Sequence, residues 1–106
     1  MRQAEAAQSE DPQGLATVAW TVVVDVPYAP AYFQPRYLRT VREDAERLFV
    51  GPVDILRSTP TPGLERFTIT GQLPATNNPE GQRRRLQSHY AEGFGRRATI
   101  AVEGSW

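Results

Sequence analysis

The segment TVAWTVVVDV, residues 17–26, limits the folds open to this chain more than any other feature. β-Branched and aromatic residues dominate it, and such side chains suit a pleated, half-buried surface. Successive side chains on a strand point to opposite faces. On that period Val18, Trp20, Val22, Val24 and Val26 share one face, while Thr17, Ala19, Thr21, Val23 and Asp25 share the other. One face is wholly apolar and the second is small and semi-polar. The pattern predicts a central strand covered on one side only.

The rest of the chain supplies partners for that strand. Pro35 suits the first residue of a helix, where its missing N–H costs nothing. From there to about Val50, the residues Tyr37, Leu38, Val41, Ala45, Leu48 and Phe49 make one helical stripe. Arg36, Arg39, Arg42, Glu43, Glu46 and Arg47 cover the other faces, and Gly51-Pro52 ends the helix. VDILRS, 53–58, reads as a short strand, and LERFTITG, 64–71, as its return. Pro62-Gly63 between them fits the centre of a type II turn. The prolines beside the first arm place it at a sheet edge, because proline cannot donate to a ladder. Asn78-Pro79-Glu80 starts a second helix with a capping side chain, a tolerated proline and an acid at the positive end of the dipole. Its stripe is narrow, Leu86, Tyr90 and Phe94, and it is expected to stop near Glu92, ahead of Gly93 and Gly95. RATIAVE, 97–103, reads as the last strand.

The order strand, helix, strand, strand, helix, strand matches the ferredoxin-like βαββαβ sandwich, an α+β fold with a four-stranded antiparallel sheet and two helices on one face. The first and third strands are expected at the centre. The helices are expected to cover Trp20, Val22, Val24, Phe67, Ile69, Ile100 and Val102. The opposite face would show Thr21, Val23, Asp25, Arg66, Thr68, Thr70, Thr99, Ala101 and Glu103. Residues 1–16 read as a mobile polar tail, and 17–106 as a single α+β domain.

Composition then bounds the chemistry. The chain has no Cys and a single His, His89. Disulfides, thiolate sites and a Cys nucleophile are excluded, and a metal site is not expected. No run approaches the roughly 20 apolar residues that span a bilayer, and MRQAEAAQSEDPQG lacks the apolar core of a secretory signal. The expectation is a soluble cytoplasmic protein with no membrane partner. No phosphate loop, GxGxxG, GxSxG or HExxH motif is present, so no cofactor is expected.

Four regions are candidates for contact. The open sheet face suits association of two copies, since closed two-fold dimers are the commonest oligomers. Arg83, Arg84, Arg85, Arg96 and Arg97 stand against Glu80 and Glu92 in residues 80–97, a local excess of +3 in a chain with formal net charge zero. They suit an acidic or phosphate-bearing partner. The neutral whole chain disfavours nucleic acid, since dedicated binders are usually basic. Tyr28, Tyr32, Phe33 and Tyr37 crowd the join between the first strand and first helix, with Asp25 before them and Arg36 among them, as at a pocket rim. His89 has no Ser, Asp or second His at a catalytic motif spacing and reads as an ordinary, partly exposed His. Tyr90 beside it reads as core.

The expected function is accordingly a non-enzymatic binding or interaction module, a homodimer or a small subunit of a larger assembly. The alternative is a small-molecule enzyme of the dimeric α+β barrel kind, its pocket lined by Trp20, Tyr28, Tyr32, Tyr37, His89 and Tyr90. A third expectation is nucleic-acid binding through the Arg-rich second helix.

Overall fold

The computed structural model describes residues 16–27, 29 and 35–105. Strand β1 (Thr17–Pro27) is followed by helix α1 (Pro35–Leu48), strands β2 (Val50–Thr61) and β3 (Leu64–Pro74), helix α2 (Pro79–Phe94) and strand β4 (Thr99–Gly104). The strands form one antiparallel sheet in the order β2-β3-β1-β4. This is the ferredoxin-like arrangement, with β1 and β3 central. The tail expected before residue 16, and the aromatic loop with Tyr28, Tyr32 and Phe33, lie outside the described residues.

β1 follows its two-residue period throughout. Trp20, Val22, Val24 and Val26 are buried, and Thr21, Val23 and Asp25 between them are half-buried on the open face. Register carries the inner face across the sheet: Val22 pairs with Ile69 and Val102, and Val24 with Phe67 and Ile100. Each large apolar side chain so buried contributes roughly 1.5–3 kcal/mol. Trp20 is flanked by Gly71 on β3 and Gly104 on β4, which leaves width for the indole. A β-carbon at Gly71 would stand 2.3 Å from the Phe49 ring, so this position has no room for any other residue.

The helices lie on the inner face, α1 against β2, and α2 against β4 and β1. Arg42 Nη1 donates to Val53 O at 3.3 Å, joining α1 to β2. Trp20 Nε1 donates to Gln82 Oε1 at 3.1 Å, so the buried indole is satisfied by the start of α2. Asn78 caps α2 through Oδ1, which accepts from Gly81 N at 3.1 Å.

Several boundaries differ from the sequence reading, among them β4, which spans Thr99–Gly104 rather than 97–103. β2 runs from Val50 to Thr61 rather than over 53–58, because an edge strand tolerates Pro52 and Pro60. α2 continues through Gly93 to Phe94, and Gly95 closes it with a positive φ and an N–H to Ala91 O. β3 extends to Pro74. The inner face also buries Glu65, whose carboxylate accepts from Thr59 Oγ1 at 3.0 and 3.3 Å. No helix among the described residues is long and apolar enough to cross a membrane.

Candidate functional site

Because α1 and α2 pack over different strands, the space between them is filled by side chains rather than by helix–helix contact. Tyr37 on α1, Phe67 on β3, and Tyr90 and Phe94 on α2 meet there. Ring centroids are 6.0 Å apart for Tyr37–Phe67, 5.5 Å for Phe67–Phe94 and 6.2 Å for Tyr37–Phe94. Above this cluster a cleft of about 400 Å³ separates the helices. One wall is Tyr37, Thr40, Val41, Asp44 and Arg47; the other is His89, Tyr90, Glu92, Gly93 and Phe94. The α1 wall follows helical spacing, in which residues three, four and seven apart share a face.

His89 Nε2 lies 2.8 Å from Asp44 Oδ2, across the cleft. A carboxylate only accepts, so Nε2 carries a proton in this bond. Nδ1 has no hydrogen-bond partner among the described residues. This bond is half-exposed on both sides. The His89 and Tyr90 rings stand edge to face with centroids 5.1 Å apart.

Tyr90 is buried, and its hydroxyl has no hydrogen-bond partner among the described residues. Burial pushes the phenol up, and the Asp44 carboxylate adds to the shift, so the group stays protonated through the neutral range. The hydroxyl oxygen is itself enclosed, so Tyr90 meets the cleft through its ring.

Of the residues expected at a pocket, the structure brings Tyr37, His89 and Tyr90 together and leaves Asp25, Arg36 and Trp20 apart. Asp25 lies on the opposite face of the sheet, in a two-pronged bond with Arg66: Nε to Oδ1 at 2.7 Å and Nη2 to Oδ2 at 2.9 Å. The Arg66 hydrogen bonds hold the Asp25 carboxyl below its ordinary value, against an opposing push from burial. Arg36 is exposed at the start of α1 and does not line the cleft. Tyr28 and Tyr32 are outside the described residues. Trp20 is spent on the core and on Gln82. The cleft itself opens between the helices rather than between helices and sheet.

The arginines do not gather into one patch. Arg83 and Arg84 both pair with Glu80 on their own helix, and Arg83 also donates to Gln87 Oε1 at 2.8 Å. Arg84 and Arg85 line a second groove with Leu48, Ser88, His89 and Glu92. Arg96 and Arg97 lie beyond the far end of α2, beside Val26 and Pro27. At 1.5 Å rise per residue the two groups are roughly 20 Å apart.

Asp44 is the site residue that sequence reasoning missed. Its signal was an acid seven residues after Tyr37 on the face that α1 turns inward. Among the described residues no group of three His, Asp or Glu side chains could hold a metal ion. Comparison with protein-family models, curated proteins and solved structures finds no match to this chain.

Proposed function

We propose that this protein binds a small, largely apolar molecule in the cleft between α1 and α2. The observation that carries this reading is the cleft itself, about 400 Å³ between the helices, walled by Tyr37, Tyr90 and Phe94 and crossed by the Asp44–His89 bond. The aromatic walls supply contact area, and the Asp44–His89 pair supplies polar groups that fix orientation. A volume of about 400 Å³ suits a ligand of one or two rings.

Titration with 2-naphthol, followed by fluorescence and by NMR shifts of the aromatic side chains, tests the reading. Binding is expected to perturb Tyr37, His89, Tyr90 and Phe94 together. His89→Ala should weaken it about tenfold, the equivalent of one hydrogen bond of about 1.4 kcal/mol. Thr40→Trp, which fills the cleft from an exposed position, should abolish it. Binding indifferent to both substitutions would overturn the reading.

A second reading, pairing of two copies through the open sheet face, is favoured by Leu56, whose exposure is 64%. Leu56, Thr68, Val23 and Ala101 form one row across that face by strand register. A two-fold axis that sets β2 of one copy over β4 of the other places the large Leu56 against the small Ala101. Size exclusion with light scattering should then give twice the chain mass at low and high salt, and Leu56→Asp should give the single mass. A wild-type monomer at high protein concentration would remove this reading.

A further inference from the structure

The cleft continues past the Asp44–His89 bond. His89 and Glu92 line both the cleft and the second groove, so the two adjoin along the seam between the helices. On α1 the join falls between Arg47, which lines the cleft, and Leu48, which lines the groove. On α2, Arg85, Ser88, His89 and Glu92 line the groove; their spacing of three, four and seven residues makes them one stripe, with Arg84 beside it. Tyr37 meets Phe94, Asp44 meets His89, and Leu48 shares the groove with Arg85, so the helices run antiparallel. Aromatic rings stand at one end of the seam and arginines at the other. The arginine end is not neutralised within the fold. Arg47 and Arg85 have no ion pair or hydrogen bond among the described residues, and Arg84 meets only the Glu80 carboxylate, at 3.8 Å. Arg83, by contrast, is held by Glu80 and Gln87. Of the acids on the seam, Asp44 is committed to His89, which leaves Glu92 as the opposing charge.

On the reading that the cleft is a ligand site, we propose that its ligand is an aromatic anion. One or two rings lie against Tyr37 and Phe94, and a carboxylate or phosphate group reaches the other end of the seam, where Arg47 and Arg85 hold it. A guanidinium presents a planar fork of donors that matches either group, and bonds to an ionised acceptor are stronger than neutral ones. Arg84 adds to the positive field, and Glu92 opposes it. A cation of the same shape is disfavoured, since the guanidiniums outnumber the one carboxylate not already paired with His89. Arg47 and Arg85 are both exposed, so the anionic group stays partly in water. The gain over a neutral ligand is accordingly modest and falls with salt.

The test compares three ligands that share one ring system: 2-naphthol, 2-naphthoate and 2-naphthyl phosphate. Each is titrated near neutral pH, where 2-naphthol is uncharged, and followed by fluorescence and NMR shifts. The readout is the ratio of anion affinity to 2-naphthol affinity. In wild type at low salt it is expected to be about ten, as one charge-assisted hydrogen bond gives, and to fall toward one at high salt. Arg47→Gln and Arg85→Gln should each lower the ratio about threefold, and the double variant should bring it to one. Glu92→Gln, which removes the opposing charge, should raise it about threefold, a change of sign that damage to the fold would not produce. A preference between the two anions assigns the group as carboxylate or phosphate. If neither anion binds more tightly than 2-naphthol, or the advantage survives in the double variant, the anion assignment is overturned and the apolar site stands. If none of the three binds at millimolar concentration, both readings fall.

Discussion

A phenol hydroxyl buried without an acceptor forgoes the bonds it makes in water, at a cost of about 1–3 kcal/mol. Tyr90 is in that position, although Phe would fill the same space at the end of the Leu86–Tyr90 stripe. Tyr90→Phe is therefore expected to raise unfolding stability by about 1 kcal/mol in urea melts. A fall in stability would mean that the hydroxyl is satisfied in solution. The residue scale is also where the sequence was least readable. Spacing alone put Tyr90 in the core, which is correct, but no periodicity reports whether a hydroxyl finds a partner. Asp44 and His89 are 45 residues apart, so their bond depends on where two helices come to lie.

At the scale of elements, legibility follows the strength of the local pattern. β1 was plain because ten residues alternate without a break, and its parity also put Asp25 on the face away from the helices. The same Asp25 was expected beside a pocket because it precedes the aromatic loop; parity outweighs proximity, and Arg66 on β3 is its partner. β2 was underestimated at both ends because proline was read as a boundary, whereas an edge strand has one side free of ladder bonds. α2 had the weakest stripe and depends more on its start signal. Asn78 accepts from Gly81 N at 3.1 Å, and the two are packed so closely that a β-carbon on Gly81 would meet the Asn78 side chain at 2.4 Å. Asn78→Ala should cost about 1 kcal/mol, read as a lower midpoint in thermal unfolding by circular dichroism. Since α2 carries His89 and Tyr90, the same variant should show faster hydrogen exchange in the first turn of α2. Unchanged exchange there would mean that Trp20–Gln82, rather than the cap, holds the start of this helix.

For the whole molecule, the ion pair between Asp25 and Arg66 ties the two central strands over 41 residues of sequence, on the face that no helix covers. Its titration therefore appears in global stability. Arg66 lowers the Asp25 carboxyl in the folded state below the ordinary value of 3.8. A depressed folded value means that the contribution is fully present above that ordinary value and is lost as pH falls through the lowered one. Glu80, held down by Arg83, acts in the same direction below 4.5. Urea unfolding of wild type and Asp25→Asn, from neutral pH down to about pH 2, should show a stability gap that is constant above pH 5. The gap should narrow below the ordinary carboxylate range. A protonated Asp25 and an Asn at the same position are nearly equivalent, so the curves should meet at the acid end. A gap that persisted there would mean that Asp25 stabilises β1 through packing and not through its charge. The comparison also bears on pairing of two copies: Asp25 and Arg66 lie one row from Leu56, so a face-to-face dimer would desolvate their bond. The gap should then widen with protein concentration above pH 5 and be independent of concentration in acid, whereas a monomer would show one gap at every concentration.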